Sequence, residues 1–231
     1  MRVIVSGLTA AGKTTHSQLL AEVLAAEWFG ARSILQTITG TQATPAQALW
    51  VSSTGAAVES ARDQDPDIDR MLDKATVDRL LGSDHVVADS WALPWLHLGA
   101  DVPVVRLWLE STLATRVAKC VVFHLEHAPL TVSEAEELVC RKDERTRARF
   151  QAAHGFDLFL DREPFDVILD NSCYISRPTP QAAFDGITAF APVFNAAVRL
   201  AGGDAWPGDE RIVDGAPEGV VARLVRPGEP A

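Results

Sequence analysis

The chain has 231 residues, of which 47% are hydrophobic and 23% are charged, and its formal net charge is −10 at pH 7. This length suits one globular α/β domain with a small insertion, and the acidic balance argues against general binding to nucleic acids or anionic membranes. Its three cysteines lack the paired spacing of a disulfide framework or zinc site, and no apolar run is long enough to span a membrane. Because a functional motif begins at residue 7, we expect no secretory leader and therefore a cytoplasmic protein.

The N-terminal segment predicts a strand, a glycine-containing loop and a helix. Residues 2–6, RVIVS, form a short apolar run typical of a buried strand, and residues 15–28 have apolar positions at helical spacing. Between them, Gly7, Gly12, Lys13 and Thr14 have the spacing G-x-x-x-x-G-K-[ST]. This spacing, between a strand and a helix N-terminus, is that of a loop that binds nucleotide phosphates.

The chemistry of this loop predicts ATP and Mg²⁺ as its ligands. Glycine allows backbone N–H groups to turn inward and form a cradle for phosphate oxygens. Lys13 supplies a positive charge to the β- and γ-phosphates, and the Thr14 hydroxyl is suited to ligate Mg²⁺. We expect the nucleotide to be bound by the whole loop: Gly7, Ala10, Ala11, Gly12, Lys13, Thr14 and Thr15.

Further along the chain, predicted strands alternate with predicted helices. This alternation is typical of a three-layer αβα fold with a five-stranded parallel sheet. From Gly202 onward glycine, proline and aspartate dominate, so we expect a domain over residues 1–201 and a loosely attached tail over 202–231. The predicted elements are a strand from Ser33 to about Thr39, helices 44–62 and 66–82, strands 85–89 and 102–109, helix 112–128, a helix opened by a Ser133/Glu136 capping box and continuing to about Phe150, strand 165–170 and helix 180–201.

An acidic residue ends the strand predicted over 85–89. Asp89 follows His-Val-Val-Ala, so it emerges at the carboxyl edge of the sheet, where open α/β folds bind their ligands. A carboxylate there is suited either to hold Mg²⁺ or to accept a proton from an attacking hydroxyl group. The spacing alone does not choose between these two roles.

A basic cluster lies in the helix that follows the predicted capping box. Arg145 and Arg149 are four residues apart and share one helix face, and Arg141 extends the same line. Phosphoryl transfer spreads negative charge over the equatorial oxygens, and arginines stabilise that charge. A solvated basic face is the alternative interpretation.

Four segments in order resemble the cytidylate kinase family. They are the phosphate-binding loop, DPDIDRMLDKATVDRLLGSDHVVADSWALPWL (65–96), RKDERTRARFQAAHGFDL (141–158) and FDVILDNS (165–172), so that the resemblance covers about residues 1–200. It implies a nucleoside-monophosphate-kinase fold that uses ATP and Mg²⁺, with a helical acceptor-binding insertion near 38–82 and an arginine-bearing lid near 115–150. It also implies catalytic roles for Arg116, at the start of the lid, and for Arg145 and Arg149.

The acceptor half of the chain departs from that family. Where the family usually has Asp-Gly-Arg after the middle strand, this chain has Asp89-Ser90-Trp91, and residues 39–50 contain no basic residue. In the block that reads the cytosine, the family pattern Arg-x-x-x-Asp-x-x-Arg becomes Lys142-x-x-x-Thr146-x-x-Arg149. We expect Trp91, Trp95, Lys142 and Thr146 to bind the acceptor, with the aromatic rings stacking on it.

Three functions are compatible with this sequence. The first is an ATP-dependent kinase of a hydroxyl-bearing small molecule, with Lys13, Asp89 and the lid arginines as its catalytic residues. The second is a genuine CMP or dCMP kinase that obtains its acceptor arginines elsewhere, for example from Arg62 or Arg70. The third is a nucleotide-binding regulator without catalytic activity. The only partner we expect is a small-molecule phosphate acceptor.

Overall fold

One sheet of six strands organises the part of the chain that the computed structural model describes, residues 1–41, 53–99, 102–125 and 128–228. The strand order is β2-β3-β1-β4-β5-β6; the first five strands in the sequence run parallel, and β6 is antiparallel to β5. The carboxyl ends of the parallel strands therefore share one edge of the sheet. The strands are β1 Arg2–Gly7, β2 Glu27–Gly30, β3 Val86–Asp89, β4 Val105–Glu110, β5 Val167–Asp170 and β6 Val221–Leu224.

Helices cover both faces of this sheet. Because successive strand residues point to opposite faces, Val3 and Val5 pack with Phe194 in one core, and Ile4 packs with Leu80 in another. This arrangement confirms the predicted three-layer α/β fold. The helices are α1 Lys13–Leu24, α2 Ala31–Ile38, α3 Ser53–Gln64, α4 Asp67–Leu81, α5 Leu113–His124, α6 Val132–His154, α7 Pro180–Gly202 and α8 Asp209–Asp214.

The second strand lies earlier than predicted. Helix α1 ends at Leu24 because Ala25 adopts a left-handed conformation with φ of 50°, and β2 follows over Glu27–Gly30. The segment predicted as a strand, Ser33 to Thr39, is instead largely helix α2. A short apolar run fits either structure by its periodicity, and pairing with β3 selects residues 27–30 as the strand.

The C-terminal segment is an integral part of the fold, contrary to the predicted loose tail and five-stranded sheet. Strand β6 extends the sheet beyond β5, and Val220 is buried in the core below it. The Arg199 guanidinium in α7 donates to both carboxylate oxygens of Asp209 in α8, and both residues are buried. The composition of this segment predicts a loose tail because it is rich in glycine and proline, but these residues lie in the turns around a short helix and a short strand.

Two further expectations concern helices. The capping box that opens α6 is formed by Thr131 and Glu134, two residues before the predicted Ser133/Glu136 pair, and α6 continues to His154. Of the helix predicted over 44–62, residues 44–52 lie outside the described residues, and α3 occupies the remainder. Among the helices described, none combines the length and apolar character needed to cross a bilayer.

Candidate phosphate-transfer site

The loop between β1 and α1 has an unusual backbone shape. Gly7 has φ of 151°, and a Cβ atom there would lie 2.5 Å from the carbonyl oxygen of Leu109, so the position requires glycine. Gly12 has φ of 103°, and Ala10 adopts the left-handed region with φ of 59° although it is not a glycine. Left-handed residues between right-handed ones are characteristic of backbone concavities that bind anions. The loop shape therefore fits a phosphate group.

The Lys13 ammonium lies inside this loop. Its Nζ donates to the carbonyl oxygen of Leu8 at 2.9 Å, so the side chain folds back over the concave side of the loop. Burial lowers the pKa of Lys13 to about 8, and the negative charges of Asp89 and Asp143 partly offset that effect. An ammonium group held in this way is available to an anion that enters the loop.

Thr14 and Asp89 meet at the carboxyl edge of the sheet. Asp89 ends β3 directly beside Val5 of β1, and its carboxylate accepts a hydrogen bond from the Thr14 hydroxyl. Burial raises the pKa of Asp89, although Lys13 and the Thr14 hydrogen bond oppose that shift. A hydroxyl group beside a carboxylate is an oxygen donor set that fits Mg²⁺. Thr15, the next residue of α1, is exposed.

Arg116 lies beneath the loop rather than at its open side. Its guanidinium donates to the carbonyl oxygen of Thr9 at 3.2 Å and forms a close ion pair with Asp143 of α6. Ala11 is held from the same side, because its carbonyl oxygen accepts from Lys119 and Asn171, each at 2.9 Å. The catalytic role implied for Arg116 stays a prediction, and its position is that of a support for the loop.

The two tryptophans expected at the acceptor site lie in different environments. The half-buried ring of Trp91 lies 5.0 Å from Nζ of Lys13 and 5.5 Å from Nζ of Lys142, measured from the ring centroid. The ring of Trp95 instead stacks on Phe156, with centroids 4.2 Å apart, although both tryptophans also pack against the same aromatic cluster. The structure therefore brings Trp91, and not Trp95, against the phosphate-binding loop.

The arginines of α6 pair with carboxylates of α3 and α4. Arg149 donates to Glu59 at 3.0 Å and to Asp63 at 2.8 Å, and its Nε lies 3.4 Å from Asp69. Arg145 also pairs with Asp63 and lies 3.6 Å from Glu59. The predicted insertion and the predicted lid are thus joined by an ion-pair network in this structure.

Lys142 and Thr146 occupy the same helix, between the network and the sheet. Thr146 is buried. Burial lowers the pKa of Lys142 to about 8, and Glu59 partly offsets this. Lys142 links the two regions of the site, because it is near Glu59 on one side and Trp91 on the other.

Sequence reasoning missed three charged residues at or near the site. Arg32 lies in the first turn of α2, directly after β2, and its charge opposes the rise that burial causes in the pKa of Asp89. Within the described residues, no hydrogen bond or ion pair holds its side chain. Arg32 was missed because the second strand was predicted too late in the chain. Asp143 and Glu59 were missed because their partners are distant in the sequence, so no local pattern indicates them.

Comparisons with known proteins agree with the resemblance read from the sequence. No family model matches the chain. It is 25% identical over 170 residues to a cytidylate kinase of Desulfurococcus amylolyticus, covering 74% of this chain and 83% of that protein. It is 26% identical over 174 residues to a cytidylate kinase of Methanosarcina acetivorans, covering 74% of this chain and 87% of that protein. The predicted resemblance to cytidylate kinases is confirmed.

A solved structure supports the fold. The crystal structure of an uncharacterized protein from Eubacterium ventriosum aligns with a TM-score of 0.52 at 12% identity, over 83% of this chain and 98% of that chain. At this level of identity, the likeness concerns the fold alone.

Proposed function

We propose that this protein is an ATP-dependent kinase that phosphorylates a hydroxyl group of a small molecule and that its acceptor recognition differs from that of cytidylate kinases. The observation that carries the proposal is the combination of the phosphate-binding loop, Lys13 within it and the Thr14–Asp89 contact at its rim. The similarity to cytidylate kinases supports the kinase activity. The loop would hold the phosphates of ATP, and Thr14 with Asp89 would hold Mg²⁺, which neutralises charge on the phosphates when bound.

Where Thr14 alone ligates Mg²⁺, Asp89 is instead suited to act as the base for the acceptor hydroxyl. Burial raises the pKa of its carboxyl group, which makes the carboxylate a stronger base than an exposed aspartate. It lies beside β1 at the same edge as the loop, so a hydroxyl group bound there would be near both the base and the phosphate site. Lys13 remains available to stabilise negative charge during the transfer.

The electrostatics of the acceptor side favour a weakly charged acceptor. Arg62, Arg145 and Arg149 are all paired with carboxylates of α3 and α4, and Trp91 stands where cytidylate kinases usually have an arginine. A charge-assisted hydrogen bond contributes about 1.5–3 kcal/mol. The absence of two arginine contacts would therefore weaken the binding of a phosphomonoester by about two to four orders of magnitude. The ring of Trp91 offers instead an apolar face for stacking.

A second candidate is a genuine CMP or dCMP kinase, and one observation favours it. Arg32 lies two residues after β2 and near Asp89. It follows the second strand as the structure places it, whereas residues 39–50, which follow the strand as predicted, contain no arginine. Among the described residues this guanidinium interacts with the charge of Asp89 but is held by no hydrogen bond or ion pair, so it is available to an anionic acceptor. The curated relatives are themselves named cytidylate kinases.

Steady-state kinetics distinguish these functions. The purified protein is incubated with ATP, Mg²⁺ and either CMP, dCMP or a panel of nucleosides and hydroxylated metabolites, and ADP formation is measured for each. Our proposal predicts efficient turnover of an uncharged or singly charged acceptor, and the variant Lys13→Ala, which keeps the fold, serves as the inactive control. A kcat/KM of about 10⁵ M⁻¹s⁻¹ or more for CMP or dCMP supports the second candidate. ATP binding without turnover of any acceptor would instead indicate a regulator.

A further inference from the structure

Asp143 of α6 contacts the phosphate-binding loop at the residue before its left-handed turn. Its Oδ1 accepts the backbone N–H of Thr9 at 2.9 Å, and its Oδ2 pairs with Arg116. Arg116 in turn donates to the carbonyl oxygen of Thr9 at 3.2 Å and to that of Ser111 at 3.2 Å. Both backbone polar groups of Thr9 are therefore held by one buried ion pair.

This contact is sealed from solvent. Thr9 is 0% exposed, Asp143 is 2% exposed and Arg116 is 7% exposed. Burying two charges is costly unless their hydrogen-bonding groups are satisfied, and here the backbone of the loop supplies several of the partners. Neither charged group is placed to touch an acceptor at the sheet edge, so the pair acts on the loop itself.

The loop needs such support because Ala10 is strained. A non-glycine residue in the left-handed region costs about 1–3 kcal/mol and persists where its surroundings fix it. Ala10, with φ of 59°, lies between Thr9, held by the Arg116–Asp143 pair, and Ala11, held by Lys119 and Asn171. The loop is thus fixed on both sides of the strained residue, immediately before Gly12 and Lys13.

We infer that Asp143 is a positioning residue, which sets the shape of the phosphate site through Thr9 and ties it to the helix that carries Arg145 and Arg149. The inference rests on the proposed function in taking ATP as the ligand of the loop. It assigns the pair Arg116–Asp143 to the geometry of the loop and gives Arg116 an indirect role in place of the catalytic role that the resemblance implied.

Two variants distinguish a role of Asp143 in positioning the phosphate-binding loop from a role in the stability of the fold. Asp143→Asn keeps an oxygen for Thr9 but leaves the buried Arg116 without its counter-charge, so it should be the less stable variant. The double variant Arg116→Met/Asp143→Leu replaces the pair by apolar side chains of similar size, which removes the unpaired buried charge but also removes every side-chain bond to the buried backbone of Thr9, so it should recover only part of the lost stability. Glu136→Gln, at an exposed position of the same helix, is the control.

We expect thermal stability and ligand affinity to rank the two variants in opposite orders. Thermal unfolding should place Asp143→Asn lowest and the double variant between it and the wild type. Calorimetric titration should place the double variant lowest in affinity for both ATP and inorganic tripolyphosphate, by about 10- to 100-fold, the loss expected for one charge-assisted hydrogen bond to a phosphate. Glu136→Gln should match the wild type in both measurements.

Three results would overturn the inference. The first is that the double variant binds ATP with the affinity of the wild type, and the second is that ligand affinity follows thermal stability across the variants. The third is that the variants lose affinity for ATP while their affinity for tripolyphosphate is unchanged. The last would place the defect at the nucleoside rather than at the loop. A wild-type protein that binds neither compound would instead refute the proposed function, so the two failures are distinguishable.

Discussion

Arg145 and Arg149 are both predicted to stabilise the transferred phosphoryl group, but their replacement by alanine should affect the stability of the protein differently. They lie on one face of α6 and share the partners Glu59 and Asp63, yet the Arg149 side chain is 11% exposed and that of Arg145 is 44% exposed. We expect either substitution to lower the rate of phosphoryl transfer by about 10²–10³-fold with little change in ATP affinity. Only Arg149→Ala should also cost substantial stability.

The magnitude follows from the partners that each arginine leaves behind. Breaking a buried ion pair costs about 3–5 kcal/mol. After the loss of Arg149, Arg62 remains as a partner of Glu59, at 3.2 Å, and of Asp69, at 2.7 Å. We therefore expect Arg149→Ala to lower the free energy of unfolding by about 2–3 kcal/mol, less than the full cost of breaking a buried pair. The exposed pairs of Arg145 contribute less than about 1 kcal/mol. For a domain of this size, Arg149→Ala should lower Tm by about 4–12 °C and Arg145→Ala by less than about 4 °C.

Urea titration and thermal unfolding, monitored by circular dichroism at pH 7 and moderate salt, measure both effects. Arg141→Ala is the matched control, since Arg141 lies on the same helix, is 66% exposed and, among the residues that the structure describes, forms an ion pair only with Glu137 of that helix. It should change neither stability nor rate. Equal losses of stability for Arg145→Ala and Arg149→Ala would refute the argument from burial, and an unchanged rate would remove both arginines from the catalytic site.

Three further outcomes are expected. Asp209→Ala should destabilise the fold by about 3–5 kcal/mol because it leaves the guanidinium of Arg199 buried without its counter-charge. The Arg199 hydrogen bonds lower the pKa of Asp209, so the stability that this carboxylate contributes is present at neutral pH and is lost as the pH falls through that pKa. The difference in unfolding free energy between the wild type and Asp209→Ala should therefore be smaller at pH 3 than at pH 7. Burial raises the pKa of Asp73, which pairs with His154, to about 6 from 3.8, so the contribution of this group to stability should fall as the pH rises between these values, and the unfolding free energy of the wild type relative to Asp73→Asn should decrease over that range. Gly7→Ala should abolish ATP binding in a titration, because its Cβ would meet the Leu109 carbonyl oxygen, whereas Gly40→Ala, with φ of 65° and open space around it, should keep it.

The parts of the site that depend on local spacing were readable from the sequence. The phosphate-binding loop is complete within residues 7–14, and its flanking strand and helix follow from apolar periodicity. The same reasoning placed Asp89 at the end of a central strand, where the structure pairs it with Thr14. Each of these features depends on neighbours within a few residues, so the pattern carries the necessary information.

Short apolar segments were assigned less well, because their structure depends on distant partners. Residues 27–30 become a strand by pairing with β3, about 60 residues later in the chain, and residues 221–224 become a strand by pairing with β5. Their own periodicity is too short to distinguish a strand from a helix or a turn. Because β2 was placed too late, Arg32 was missed at the edge where the acceptor is proposed to bind.

The network around the site belongs to the tertiary structure alone. Arg149 meets Glu59, 90 positions earlier, and Asp143 meets Thr9, 134 positions earlier, and no local pattern encodes such pairs. The same holds for the tryptophans, since packing places Trp91 against Lys13 and Trp95 against Phe156, although both follow one strand. Local spacing thus supplied the chemistry of the phosphate loop, while contacts between distant segments set which charges remain available to an acceptor.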